Sequence, residues 1–358
     1  MTDRPGWPTD PEMLAFLHET ARHYPATGTQ AGPQQQRIDY TALCEAFAVP
    51  YPPSITASDR TVTAENPRRE IPIRHYVDSD LFEGEIEPDL QTGDEKLARL
   101  FGRDPDVSAS DTCLLYAHGG GWVVGDLESH DSICAELCVA SELDVIAVDY
   151  RLAPEHPAPA ALDDFAAVYE AIRDDYANIV VGGDSAGGQL TAALCHRLRA
   201  RGDTMPVAQL LIYPALGAPL SSPSYTENAN APGLTTADVA HYWDAYAGAI
   251  DWQKSRDPEL VPLTAESCAD LPAAIIVSAG CDPLRDDAML YANMLTRDGV
   301  PVAWRNDPQL VHGHLRARHM SNTAMECFVW ICRALGDVVN QPMLGFARDD
   351  AIMDDEDD

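Results

Sequence analysis

The sequence predicts an α/β fold built on a doubly wound, mostly parallel sheet. Eight short apolar runs with strand character alternate along the chain with segments of helical periodicity. A glycine-rich turn at 182–188 joins one of these runs to a helical segment. The length of 358 residues accommodates one large domain of this kind with a smaller added element.

The individual elements follow from apolar periodicity and from β-branched content. The predicted strands are, in chain order, Thr61–Ala64, Ile71–Tyr76, Cys113–Ala117, Val145–Asp149, Ile179–Gly182, Gln209–Tyr213, Ala273–Ser278 and Val302–Arg305. The predicted helices are Glu12–Tyr24, Ile133–Ala140, Asp163–Arg173, Gln189–Ala200, Asp286–Thr296 and Thr323–Leu335. This alternation predicts a sheet flanked by helices on both faces.

The turn after the fifth predicted strand has the pattern G-x-S-x-G centred on Ser185. This pattern presents a serine nucleophile on a strained turn between a strand and a helix. Gly183 and Gly187 flank the serine and let the two elements approach closely. The turn therefore predicts a nucleophile at the helix N-terminus, where main-chain N–H groups favour negative charge.

A second glycine-rich segment, His118–Trp122, precedes the serine and has the HGGG pattern. Such a loop supplies main-chain N–H groups that stabilise a developing oxyanion. We predict that Gly120 and Gly121 donate from this loop and that Ala186 donates from the turn. Together and in this order, the two segments predict the α/β-hydrolase fold and an acyl-transfer site that attacks a carbonyl.

A general base must take the proton of the serine, and a carboxylate must orient that base. In this fold the acid and then the histidine follow the serine along the chain. Three histidines leave room for an intervening acid, namely His312, His314 and His319. The residues alone leave these three candidates open.

The acid should follow a strand near the end of the sheet. The predicted strand beginning at Ala273 is followed by Asp282, which is therefore the predicted acid. Asp286 and Asp287 fall on the next helix, and we interpret them as a solvated helix start.

These segments together resemble the bacterial hormone-sensitive-lipase-like esterases, in their GDSAG branch. The resemblance runs from about Arg60 to Leu335 and rests on several motifs at once. The matching motifs are His118–Trp122, Asp149–Pro157, Gly183–Gly188, Asp257-Pro258 with Pro262-Leu263, and Asp282–Asp286. The family places its catalytic histidine first in a His-Gly-aromatic motif, which implies His312 as the base, although His314 replaces the aromatic residue here.

The resemblance implies a serine carboxylesterase acting on short- to medium-chain acyl esters. The triad mechanism needs no metal or organic cofactor, and no metal-ligand spacing is apparent, so no cofactor is expected. The same triad serves amidases, lactonases and carbamate hydrolases, and a non-catalytic ligand-binding protein on this scaffold is the alternative of another class. Residues 1–50 and 217–255 are expected to form a helical cap. Residues 51–216 and 256–340 are expected to form the catalytic domain, with an acidic insertion at 78–110 and an acidic tail at 341–358.

Charge and cysteine usage limit the partners and the compartment. The net charge is −33, from 57 acidic and 24 basic residues, which argues against nucleic acid and anionic membranes as partners. This acidic composition is consistent with tolerance of salt or with an ordinary acidic cytosolic protein, and the sequence leaves both open. Nine cysteines without a C-x-x-C pair predict buried free thiols, and no signal peptide or membrane span is apparent, so a cytoplasmic protein is expected. The family resemblance also suggests a homodimer through the last strand, Val302–Arg305, and a monomer is the alternative.

Overall fold

The computed structural model describes residues 6–24, 28–79 and 111–340. Eight strands in this part form one sheet in the order β1-β2-β4-β3-β5-β6-β7-β8. The strands are β1 (Ile55–Glu65), β2 (Arg68–Asp78), β3 (Thr112–Ala117), β4 (Asp144–Val148), β5 (Asn178–Asp184), β6 (Ala208–Ile212), β7 (Ala273–Cys281) and β8 (Val302–Val311). The predicted tail at 341–358, and the predicted insertion from residue 80 onward, lie outside the described residues.

The strand directions confirm the predicted mostly parallel sheet. β1 pairs antiparallel with β2, and β2 pairs antiparallel with β4. All the other neighbours pair in parallel. Consequently the carboxyl ends of β3, β5, β6, β7 and β8 lie along one edge of the sheet, which is where ligands bind in open α/β folds.

Helices join the strands and also precede the sheet. They are α1 (Pro11–His23), α2 (Pro33–Ala46), α3 (Asp131–Ser141), α4 (Ala160–Ile172), α5 (Ala186–Arg201), α6 (Pro223–Glu227), α7 (Thr236–Ala247), α8 (Arg285–Arg297) and α9 (Asn322–Asn340). Apolar side chains of α4, α5 and α8 cover one face of the sheet. Those of α1, α3 and α9 cover the other face, which gives three layers.

Strand lengths differ most from prediction at the two edges of the sheet. β1 begins six residues before the predicted Thr61, because its exposed charged and hydroxyl side chains conceal the strand pattern. β8 continues to Val311, past Asp307 and Pro308, where the apolar signal ends. The edge position explains Pro308, since an edge strand tolerates a residue that donates no ladder hydrogen bond.

The prediction of a solvated start for α8 is wrong. Asp286 is 3% exposed and Asp287 is fully buried. One carboxylate oxygen of Asp287 accepts hydrogen bonds from the N–H groups of residues 216, 217 and 218, and the other accepts from the hydroxyl of Tyr225. Asp286 accepts from the N–H of Ser224. The chain after β6 folds over the start of α8, and its main-chain donors require these buried acceptors.

The nine cysteines are buried and unpaired, as their spacing predicts. Within the described ranges, no helix has the combination of length and apolarity that crossing a bilayer requires.

Candidate active site

Ser185 occupies the sharp turn between β5 and α5. Its φ of 54° and ψ of −115° lie outside the regions that ordinary side chains favour. The turn is held because the N–H of Ser185 donates to the carbonyl of Ile212 at 2.8 Å, and its carbonyl accepts from Ala215. A Cβ at Gly187 would collide with the carbonyl oxygen of Ala117, so glycine is required where α5 crosses β3.

Two hydrogen bonds connect Ser185 to a histidine and a carboxylate. Nε2 of His312 lies 2.9 Å from Oγ of Ser185, and Nδ1 of His312 lies 2.7 Å from Oδ2 of Asp282. The other oxygen of Asp282 accepts from the N–H of Leu284 at 2.9 Å, and the carboxylate is fully buried. The structure therefore brings the three predicted residues together at the carboxyl edge of the sheet.

The two other candidate histidines lie away from the serine. His314 is fully buried, with Nδ1 at 3.1 Å from the carbonyl of Val311 and Nε2 at 3.6 Å from Sγ of Cys327. His319 pairs with Glu136 at 2.8 Å on the protein surface. Only His312 reaches Ser185 among these three.

The HGGG loop and the turn meet above the serine. Gly120 and Gly121 have φ values of 128° and 57°, which L side chains rarely adopt. These two glycines line one cavity together with Ser185, Ala186 and His312. The predicted donor residues are thus grouped around the nucleophile, as stabilisation of an oxyanion requires.

Asp184 attaches the HGGG loop to the turn. Its carboxylate accepts from the N–H of Gly119 at 2.9 Å, from the hydroxyl of Tyr116 at 2.8 Å and from that of Tyr213 at 3.3 Å. Nε2 of His130 lies 3.2 Å from the same carboxylate. Burial is the largest single effect and raises the pKa of Asp184, but His130, the charge of Arg316 and the hydrogen bond from Tyr116 together outweigh it and hold the pKa below its usual range. Asp184 therefore remains an anion that fixes the loop.

His118 shapes the loop from within. The side chain is 3% exposed, with Nδ1 at 2.8 Å from the carbonyl oxygen of Gly119, and its ring stacks on Tyr150. Burial lowers the pKa of His118 to about 3, so the ring is neutral near pH 7. At the end of the loop, the indole N–H of Trp122 donates to the side-chain amide oxygen of Gln189 on α5 at 3.1 Å.

A cavity of about 170 Å³ lies over Ser185. One wall comes from the N-terminal helices and the residue after α1, namely Phe16, Leu17, Thr20, Tyr24, Tyr40 and Leu43. The opposite wall comes from α7 and the residues before it, namely Leu234, Asp238, Val239, Tyr242 and Trp243. The two walls are linked where Thr29 donates to Asp238 at 2.7 Å and where the hydroxyls of Tyr24 and Tyr242 are hydrogen-bonded.

Tyr213 and Arg316 are among the polar residues of this lining that the sequence did not single out. Tyr213 lies directly after β6, and its ring packs edge-on against both His312 and His314 at 4.8 and 4.9 Å. Its position at the carboxyl end of a parallel strand was the available signal. Arg316 carried no such signal, because it follows the histidine motif in a short helix, His314–Ala317, that sequence periodicity does not reveal.

The buried neutral His314 makes the stability of the fold depend on pH. Burial lowers the pKa of His314 to about 4, below the value of about 6.5 expected in the unfolded chain. The stability from this group is complete above pH 6.5 and is lost as the pH falls toward 4, because the unfolded chain then binds a proton that the folded chain does not.

We expect His314→Phe to flatten this dependence. Between pH 6 and 5, the wild-type free energy of unfolding should fall more steeply than that of the variant, by up to about 1.4 kcal/mol per pH unit. Urea unfolding at several pH values measures both slopes. His156→Gln, at an exposed histidine, is the matched control and should keep the wild-type slope. Equal slopes for wild type and His314→Phe would contradict the assignment.

In the part of the chain that the structure describes, no group of three or more His, Cys, Asp or Glu side chains is arranged to hold a metal ion. The absence of a cofactor stays a prediction from the triad mechanism and from the sequence spacing.

Known proteins share both the sequence and the architecture of this chain. A profile of the α/β-hydrolase fold matches residues 114–316. The chain is 44% identical to the esterase LipI of Mycobacterium tuberculosis over 56% of this chain and 65% of LipI. It is 34% identical to the carboxylic ester hydrolase LipN of the same organism, over 78% of this chain and 69% of LipN. The matched segments thus span about two thirds of these relatives.

A solved structure of a known protein superposes on nearly the whole length of this chain. The ester hydrolase EH1AB1, from the metagenome of Lake Arreo, superposes with a TM-score of 0.77 at 30% identity, covering 92% of this chain and 99% of that one. Sequence profile, relatives and superposition point to one group of enzymes. The chain belongs to the α/β-hydrolase fold family and is similar to ester hydrolases of that family.

Proposed function

We propose that this protein is a serine carboxylesterase. The observation that carries the proposal is the continuous chain of hydrogen bonds from Asp282 through His312 to Ser185, at 2.7 and 2.9 Å, beneath a cavity. The names of the relatives LipI and LipN support ester hydrolysis as the reaction.

The geometry supports the following acylation step. Oγ of Ser185 forms a bond to the ester carbonyl carbon while its proton passes to Nε2 of His312. The resulting oxyanion accepts hydrogen bonds from the N–H groups of Gly120, Gly121 and Ala186. When the carbon–oxygen bond to the alcohol breaks, His312 returns the proton to the leaving oxygen. Asp282 keeps the imidazole oriented and stabilises its cation.

Deacylation repeats these steps with water. A water molecule attacks the acyl carbon and gives a proton to His312. The bond to Oγ of Ser185 then breaks, and His312 returns the proton to the serine as the carboxylic acid leaves.

We further propose that residues 1–50 and 217–255 act as a cap that selects substrates by size. The cavity between them, about 170 Å³, is similar to a cavity of about 150 Å³ that holds one benzene molecule. Its walls are mostly apolar, with Leu17, Leu43 and Leu234 among them. This size favours short to medium acyl chains over long lipid chains.

The test is hydrolysis of 4-nitrophenyl esters with acyl chains of two to twelve carbons. We expect kcat/KM to peak between about four and eight carbons and to fall for longer chains, because the cavity holds about six carbon atoms. Labelling of Ser185 by a fluorophosphonate, located by mass spectrometry, accompanies the series.

Two outcomes would redirect the proposal. Labelling of Ser185 without hydrolysis of any ester would favour an amide, lactone or carbamate substrate on the same triad. Neither labelling nor hydrolysis would favour a ligand-binding protein.

Three further properties stay predictions. A homodimer through β8 is suggested by family resemblance; this strand lies at the end of the sheet, and its Trp304 is 43% exposed. Unpaired strand edges favour pairing with another chain.

Salt tolerance and a cytoplasmic location rest on composition, with 57 acidic residues and nine buried thiols.

A further inference from the structure

A buried guanidinium lies in the wall of the substrate cavity. Arg316 follows His312 by four residues and belongs to the short helix His314–Ala317. The residue is 8% exposed and lines the same cavity as Ser185 and His312. It is the one guanidinium or ammonium group in this lining, within the described residues. The proposed mechanism gives Arg316 no role.

The hydrogen bonds of Arg316 use only part of its donors. Nη2 donates to the hydroxyl of Tyr40 at 2.8 Å and to the carbonyl of Ser129 at 3.3 Å. The same atom lies 3.2 Å from Sγ of Cys44 and 3.5 Å from Nε2 of His130. Nε is buried without a partner. Among residues 6–24, 28–79 and 111–340, no carboxylate accepts a hydrogen bond from this guanidinium. Asp184 is near enough to interact with it through charge.

A guanidinium with unused donors favours binding of a substrate group that accepts hydrogen bonds. Arginine has five N–H donors and stays protonated in proteins. Burial of a cation is costly unless its donors are satisfied, and a hydrogen bond to a charged group is stronger than one between neutral groups. A substrate oxygen that reaches the guanidinium would therefore gain binding energy that an alkyl chain cannot.

The surrounding charges select the kind of acceptor. Asp184 and Asp238 line the same cavity, and the whole chain carries a net charge of −33. A substrate that carries a carboxylate of its own would be repelled by these groups. A neutral carbonyl oxygen would meet the guanidinium without that repulsion.

We propose that Arg316 is a specificity-determining residue that binds a neutral carbonyl oxygen of the substrate, of the keto, ester or amide type, beyond the scissile ester. The inference rests on the proposed esterase function and names its substrate class: short esters with a second carbonyl group in the acyl or the alcohol part.

The test compares matched esters with and without a second carbonyl. One pair is 4-nitrophenyl levulinate and 4-nitrophenyl valerate, and the other is 3-oxobutyl butyrate and butyl butyrate. Each kcat/KM is divided by the rate of uncatalysed hydrolysis at the same pH. The oxo ester should be favoured at least about tenfold in one of the two pairs, which also locates the carbonyl in the acyl or the alcohol part.

Variants of Arg316 then test whether this preference comes from the guanidinium. In Arg316→Met the ratio of the normalised kcat/KM for the oxo ester to that for its matched ester should fall to about one. In Arg316→Lys, which keeps a cation, part of the preference should remain. If Arg316→Met does not fold, as judged by circular dichroism and thermal unfolding, Arg316→Gln supplies the comparison. The 4-nitrophenyl monoester of succinate, which replaces the keto group by a carboxylate, should have a lower normalised kcat/KM than the levulinate.

Each contrary result has a defined meaning. Ratios near one for both pairs in the wild type, or an unchanged ratio after loss of the guanidinium, would overturn the role of Arg316 while leaving the esterase function intact. A preference for the succinate monoester would overturn the neutral acceptor. Failure to hydrolyse any of these esters would contradict both the inference and the proposed function.

Discussion

Ser185→Ala is expected to lower kcat for 4-nitrophenyl butyrate by about a million-fold, leaving only the acceleration that substrate binding and the oxyanion donors supply. Oγ of Ser185 is the atom that forms the acyl-enzyme, and it lies 2.9 Å from Nε2 of His312, the base that takes its proton. Alanine also fits the strained turn sterically, since Ser185 makes its supporting hydrogen bonds through main-chain atoms. The loss should therefore be catalytic and not structural.

Steady-state hydrolysis and fluorophosphonate labelling measure this loss, and thermal unfolding confirms that the variant is folded. Ser278→Ala is a matched control, because Ser278 is a buried serine of β7 that bonds to Asn306 and Trp304 instead of facing the cavity. It should keep most of the activity. A Ser185→Ala variant that retains a tenth of wild-type activity would show that another nucleophile performs the reaction.

Sequence patterns predicted those parts of the site in which the chemistry requires both a particular residue type and a particular local backbone geometry. The turn around Ser185 requires glycine at fixed offsets, and the chain order of the hydrolase fold limits where its partners can lie. Asp282 was identified because it directly follows a strand whose apolar run is unmistakable. The structure places these residues and His312 in hydrogen-bonding contact.

Residues that act through tertiary packing were not predictable in the same way. Asp286 and Asp287 have the sequence appearance of a solvated helix start, and only the path of the chain after β6 buries them. Helix α2 has polar residues at most of its positions and little apolar periodicity, yet it supplies Tyr40 to the cavity and to Arg316. Such contacts depend on which segments the fold brings together, and local sequence does not encode that.

The turn and the HGGG loop are coupled through one buried anion. Asp184 precedes the nucleophile and accepts the N–H of Gly119, so the position of the oxyanion donors is tied to that of the serine. Tyr116 and Tyr213 donate to the same carboxylate from the ends of two strands. The rigid sheet thereby fixes the nucleophile and the donors relative to each other, which electrostatic stabilisation of a transition state requires.

His312→Ala should reduce kcat nearly as much as Ser185→Ala, by about a million-fold, because members of a triad act as a unit. Without the imidazole, the proton of Ser185 has no acceptor in reach, and Asp282, which is fully buried, has no cation to stabilise. The residue that tests this assignment most sharply is His314, two positions later. His314→Phe removes an imidazole that contacts Val311 and Cys327 and leaves the bond between His312 and Ser185 in place.

His314→Phe should therefore retain kcat within about tenfold of wild type, since the aromatic ring occupies the same buried site against Tyr213. Parallel measurements of kcat and thermal stability on the two variants separate proton transfer from packing. The reverse pattern, with His314→Phe inactive and His312→Ala active, would assign the base to His314 and would require the loop after β8 to rearrange during catalysis. Equal large losses in two folded variants would instead mean that the ring of His314 positions His312 through Tyr213, which packs edge-on against both imidazoles.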